Sequence, residues 1–277
     1  MKTRTYFLPA LTLLSAAVLA QPVFAAECTP PEGIRLVNSG VLEMATNPTL
    51  PPLQYVDGEG QLKGMRIELG EDIAKRLCLK PHYTRIEFSA MVPGLKGGRW
   101  DMINTGIFFT PERAKLMSMI PYESQAISVS ARPADAASIT KIEDLAGKSV
   151  GVEIGGFEEA TLREISKKLV AEHLKPVDIH TFDNFTVAFQ ALRAGQMSAV
   201  VTIDALAADY QHRGMFRQVI SGLNPTPVAI AFADPKLADA AATVLNQMKA
   251  DGSLTALFKK YGVSMTPGTF KVQGPSS

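Results

Sequence analysis

From residue 41 onward, short apolar runs alternate with longer stretches in which apolar side chains return every three or four positions. Residues 41–46 alternate weakly and read as a strand, closed by a turn at Pro48, Pro51 and Pro52. Residues 65–77 carry apolar side chains at 65, 69, 73, 74 and 77, the spacing of a helix buried along one face. Residues 83–88 read as a strand, and 102–109 as an apolar strand covered on both sides. Further strands are expected at 126–131, 149–153, 177–182, 199–203 and 228–233, with helices at 157–171, 185–194, 236–249 and 253–261. Strands separated by helices imply crossover connections and mainly parallel sheets, hence an α/β protein.

An internal echo divides this pattern in two. Phe88-Ser89, Leu95, Gly98 and the run Asp101-Met102-Ile103-Asn104-Thr105 return as Phe185-Thr186, Leu192, Gly195 and Ser198-Ala199-Val200-Val201-Thr202. Each copy is a helix closed by glycine, a tight turn and a buried strand. Two copies in one register point to two similar lobes rather than one extended sheet. Two such lobes make a cleft at the carboxyl ends of their strands, where ligands bind. The chain is expected to cross between lobes at 127–132 and 224–231. One lobe is then discontinuous, 26–127 with 230–277, and the other is 128–229.

Composition narrows the class. The 277 residues are 46% apolar, with 28 basic side chains against 27 acidic, which leaves no basic excess for nucleic acid and no signature of disorder. At the N-terminus, Lys2 and Arg4 precede an apolar stretch at 8–20, and Val23-Phe24-Ala25 supplies a cleavage pattern. Residues 1–25 therefore read as a signal peptide, and the mature chain is expected outside the cytoplasm. The two cysteines, Cys28 and Cys78, then meet an oxidising space, where they either close a disulfide or stay as buried thiols. A bridge would tie the new N-terminus to the end of the first helix.

Candidate chemistry begins at Thr110-Pro111-Glu112-Arg113. Threonine as N-cap with proline next is a strong helix start. Arg113 occupies the third helical position, where a capping box favours Glu or Gln and where the helix dipole disfavours a cation. A guanidinium so placed, at the end of a parallel strand, suits a carboxylate held by two hydrogen bonds. An ordinary surface arginine paired with Glu112 or Glu123 is the alternative. Gly155-Gly156-Phe157-Glu158 offers a second lip, where paired glycines let backbone approach a ligand, or else a plain tight turn. The four histidines show no metal-ligand spacing and no Gly-x-Ser-x-Gly elbow is present, so no metal, cofactor or catalytic motif is expected.

From about residue 41 to 261 the chain resembles the polar amino-acid solute-binding proteins of ABC importers, solute-binding protein family 3. The landmarks are Pro51-Pro52-Leu53-Gln54-Tyr55, Gly64-Met65, Trp100-Asp101, Thr110-Pro111-Glu112-Arg113-Ala114, Pro121-Tyr122, the run Asp144-Leu145-Ala146-Gly147-Lys148-Ser149-Val150-Gly151-Val152, and Lys249-Ala250-Asp251-Gly252-Ser253. The resemblance implies a two-lobed, type II-like periplasmic-binding-protein fold, each lobe a mainly parallel sheet flanked by helices, joined by two hinge strands. It implies a cleft that closes on a solute, a membrane permease as partner, and Arg113 as the grip on the solute's carboxylate. The chain is expected to act as a monomer.

Departures from the family pattern shape the expected site. Phe108 stands five residues before Arg113, where the family usually has Ser or Thr, and Gly156 with Phe157 replaces the usual threonine of the second lobe. The acid that pairs with an amino acid's ammonium falls at Ile203, with Asp204 one step late, and clamp aromatics become Leu50 and Leu53. Thr105, from the first copy of the echo, completes the candidate set. The expected solute is a carboxylate with an apolar body, or an amino acid whose ammonium is met by Asp204 or backbone carbonyls. The architecture also resembles periplasmic cyclohexadienyl dehydratases, and in such an enzyme Glu153, Glu158 and Glu159 are the candidate general acids. A soluble ligand sensor is a third reading.

Overall fold

The computed structural model describes residues 1–2 and 28–275. Apart from Met1 and Lys2, the predicted signal peptide lies outside the described residues. The chain opens with β1 (Val41–Thr46), a small antiparallel sheet of β2 (Thr49–Leu50), β3 (Gln54–Val56) and β4 (Leu62–Lys63), then α1 (Met65–Arg76) and β5 (Lys80–Arg85). It continues through α2 (Phe88–Lys96), β6 (Met102–Phe108), the single turn α3 (Pro111–Ala114) and the long strand β7 (Ser118–Ala131). Next come β8 (Ser149–Glu153), α4 (Phe157–Ala171), β9 (Asp178–Phe182), α5 (Phe185–Arg193), β10 (Ala199–Ile203) and α6 (Asp204–His212). The long strand β11 (Arg217–Phe232) returns to α7 (Pro235–Ala250), α8 (Ser253–Tyr261) and β12 (Ser264–Met265).

Sheet order explains the two lobes. Strands β5, β1 and β6 are parallel on one side, and β10, β8 and β9 are parallel on the other. Between them β7 and β11 pair antiparallel along their length, joining both lobes. In the first lobe the end of β11 lies between β6 and β7; in the second, the end of β7 lies between β11 and β10. The exchange falls near Gln125 and Thr226, with register shifts on both sides of it. Such interruptions weaken a ladder locally and let a two-stranded connection bend.

The echo forms matching units. Phe88 and Phe185, Leu95 and Leu192, are all buried, and the two helices meet where Asn184 donates from Nδ2 to Glu87 Oε1 at 3.1 Å. Close packing within a unit leaves no room for side chains at chosen points. A Cβ on Gly94 would fall 2.0 Å from the buried Trp100 ring, whose Nε1 donates to the Met91 carbonyl.

Three expectations need correction. The strand expected at 83–88 runs Lys80–Arg85, because Phe88 already opens α2 and packs with Met91, Leu95 and Trp100. Strands β7 and β11 are far longer than expected; their polar and proline-bearing halves find partners distant in the chain, chiefly each other and, at Glu123 and Ser124, β12. Helix α6 was not expected, since Ile203 passes from strand to helix without a punctuating residue.

Cys28 and Cys78 form a disulfide with Cα atoms 5.5 Å apart, closing a loop of 50 residues. Cys78 follows the C-cap of α1 at φ 59°, a conformation normally left to glycine. Reduction, or a Cys28→Ser change, is expected to lower stability by about 2–4 kcal/mol. Urea unfolding with and without reductant measures it, and an unchanged midpoint would show the bridge to be dispensable.

Candidate functional site

Strand β6 is buried along almost its whole length and delivers its carboxyl end, Thr105 to Phe108, into the space between lobes. Thr110 then caps α3, its Oγ1 accepting from the Arg113 backbone N–H at 3.2 Å. This one-turn helix holds Arg113 back over the strand end. Its Nη1 donates to the Phe108 carbonyl at 2.9 Å, its Nη2 to the Gly155 carbonyl of the opposite lobe at 3.3 Å. The guanidinium carbon also lies 5.4 Å from the centre of the Phe88 ring. Burial pushes the Arg113 pKa down, while the Glu158 carboxylate works against that shift; an arginine stays charged either way. Carbonyls take these donors here, and a carboxylate would make a stronger acceptor for the same fork.

Across the gap, β8 ends at Glu153, and Gly155 at φ 76° turns the chain into α4. Phe157 opens that helix with its ring 4.8 Å from Phe108, so two aromatic side chains close the lobes on each other. Glu153 Oε1 accepts from Asn47 Nδ2 at 2.8 Å, a further bond between lobes. The bonds of Arg113 and Asn47 and the Phe108–Phe157 contact hold the lobes together around a cavity of about 10 Å³, room for roughly one water. Phe88, Phe108, Phe157 and Phe185 give it apolar walls, and Arg113, Glu153 and Glu158 give it charge.

Both acids are nearly out of water, Glu153 at 4% exposure and Glu158 at 5%. Burial pushes the Glu153 pKa well above the usual carboxylate range, helped by the charges of Glu158 and Glu87 and opposed by the Asn47 hydrogen bond. Burial raises the Glu158 pKa as well, against its own backbone N–H and the charges of Arg113 and Arg66.

Beneath the cavity floor lies a second guanidinium. Arg66, on the first turn of α1, is fully buried and pairs with Glu123 through bonds of 2.9 and 3.1 Å. Its Nη1 donates to Gln54 Oε1 and to the Thr105 carbonyl. Burial pulls the Arg66 pKa down, but Glu123 and Tyr122 together carry it above its usual value. Gly106 at φ 82° makes room for it, since a Cβ there would sit 1.9 Å from Arg66 Nη1. A rigid ion pair therefore links α1, the strand that carries the site, and the hinge strand β7.

Of the expected residues, Arg113, Phe108, Thr105, Phe157 and Leu50 come together around the cavity. Three others do not line it. Leu53 is wholly buried in the hydrophobic core, and Gly156 serves as N-cap of α4 with the Glu158 carboxylate folded over it. Asp204 faces a separate groove on the flank of the hinge, beside His212 and Tyr261, and accepts from Ser128 Oγ and the Gly222 backbone N–H. The reason is the start of α6 at Asp204, which turns that side chain away from Ile203, a cavity residue. Phe88, Phe185 and Asn47 line the cavity but were not in the expected set. For the two phenylalanines the echo was the available signal, since they hold one position in its two copies. Among the described residues no three His, Cys, Asp or Glu side chains gather as metal ligands, and no helix is long and apolar enough to cross a membrane.

The sequence pattern of the bacterial extracellular solute-binding proteins, family 3, matches residues 42–264. The L-cystine-binding protein TcyJ of Escherichia coli strain K12 is 26% identical over 234 residues, 82% of this chain and 85% of that one. The lysine/arginine/ornithine-binding periplasmic protein of the same strain is 26% identical over 259 residues, 91% and 88% of the two chains. Among solved structures, an ancestral arginine-binding protein bound to arginine is 30% identical at a TM-score of 0.74, covering 80% of this chain and 98% of that one. All three are binding proteins for amino acids by name.

Proposed function

This chain belongs to the bacterial extracellular solute-binding proteins of family 3, and on that premise we propose that it captures an amino acid or related small carboxylate for an ABC importer. The carrying observation is Arg113, a guanidinium pinned between lobes with its donors on the carbonyls of Phe108 and Gly155. An entering carboxylate takes over those donors and bridges the lobes, so ligand binding and closure share one free energy. Lobes 26–127 with 230–277 and 128–229 would rotate about β7 and β11. The signal peptide, residues 1–25, would be removed on export, and the mature monomer would work in the periplasm and hand its solute to a membrane permease.

Calorimetry on a panel of the standard L-amino acids, backed by native mass spectrometry of protein from its own compartment, tests this. Binding of at least one carboxylate-bearing member, released unchanged, is the expected result. A panel without any binder would overturn the reading, and a chemically altered product would replace it with an enzyme.

A further inference from the structure

We propose that Glu87 and Asn184 form a latch that holds the two lobes shut from outside the solute's cavity. This rests on the reading given above, that the cleft closes on a solute. Glu87 is the N-cap residue of α2 in the first lobe, and Asn184 is the N-cap residue of α5 in the second. They stand 97 residues apart, the same spacing that relates Phe88 to Phe185 and Leu95 to Leu192. Corresponding residues of the two copies therefore touch each other, as happens beside a two-fold axis between like units. Phe88 and Phe185, the next residues along, line the cavity, so the contact lies one residue away from the solute.

The Asn184 side chain works in two directions. Its Oδ1 accepts from the Val187 backbone N–H at 3.1 Å and caps α5, which fixes the amide so that Nδ2 donates to Glu87 Oε1, also at 3.1 Å. Glu87 makes no side-chain cap bond to its own helix, and its second oxygen, Oε2, is buried without a hydrogen-bond partner. Closure strips water from that carboxylate, and the Asn184 amide at the positive end of α5 is what replaces it.

Because the bond spans the lobes, it exists only when they are shut and stabilises the closed state alone. Such a contact shifts the open–closed equilibrium by one factor for every solute that closes the cleft. The other bond of this kind, from Asn47 to Glu153, joins two residues that line the cavity, so its effect on closure is mixed with contact to the solute. Glu87 and Asn184 separate the two.

Asn184→Asp is the variant that tests this. Aspartate caps a helix as well as asparagine does, so α5 keeps its start, but the amide donor facing Glu87 becomes a second carboxylate. Calorimetry and stopped-flow kinetics use each standard L-amino acid that binds the wild type. Binding is expected to weaken about tenfold or more, by a common factor, through faster dissociation. Glu87→Gln alone keeps an acceptor for Asn184 and should bind within about threefold of the wild type. Added to Asn184→Asp, it places a donor opposite the new acceptor and should recover most of the lost affinity. Urea midpoints of all three variants should stay near that of the wild type. Affinity unaltered by Asn184→Asp, a loss confined to some solutes, or no recovery in the double variant would overturn the latch and leave Arg113 and the carboxylate reading in place. If no amino acid binds, the carboxylate reading falls, and small-angle X-ray scattering of the solute-free chain decides the latch. A larger radius of gyration in Asn184→Asp, reversed in the double variant, supports it; an equal radius throughout overturns it.

Discussion

Arg113→Ala is expected to weaken carboxylate solutes by about a hundredfold or more while changing unfolding stability little. Removing one partner of a desolvated, hydrogen-bonded charge pair costs about 2–5 kcal/mol of binding, and each 1.4 kcal/mol is a factor of about ten. The same side chain otherwise holds two carbonyls and stacks on Phe88 at a partly buried position. Those contacts are worth far less to folding than the charged pair is to binding. Arg113→Lys should fall between, because an ammonium keeps the charge and loses the planar fork. Calorimetry of both variants measures the loss. Wild-type affinity in Arg113→Ala would remove the guanidinium from the site.

The second large effect concerns folding. Arg66→Met is expected to destabilise the protein by about 3–5 kcal/mol, because it leaves Glu123 charged and fully buried. Glu123→Leu should do similar damage by stranding the guanidinium. The double replacement should recover most of the loss, since an apolar pair of similar volume replaces two buried ions without a stranded charge. Urea unfolding of the two single variants and the double gives the coupling directly. Additive losses would show that the pair acts as two independent side chains. Because Arg66 also supports the Thr105 carbonyl beneath the cleft floor, the double variant is expected to bind solute less tightly even where stability returns.

Local signals were reliable where one element carried its own pattern. Helices at 157–171 and 253–261 match their expected bounds, and so do strands 41–46, 149–153 and 199–203. Apolar periodicity, caps and closing glycines act over a few residues, so a linear reading captures them. The hinge strands failed that reading for an equally physical reason. Gly222, Asn224, Pro225 and Pro227 mark a loop by every local rule, yet β11 stays in the ladder through register shifts against β7.

What the chain alone determined is the α/β alternation, the doubled helix-strand unit, and one arginine at odds with its own helix start. Each is a relation among neighbours. Tertiary structure alone decided which acids face that arginine. Asp204, one residue from the expected position, turned away with α6, while Glu153 and Glu158, weighed only as catalytic acids, closed on the cavity. It alone decided, too, that Arg66 would meet Glu123, 57 residues on. Coulomb and desolvation energies depend on distance in space and exclusion of water, and neither leaves a periodic mark on the chain that folding later brings together.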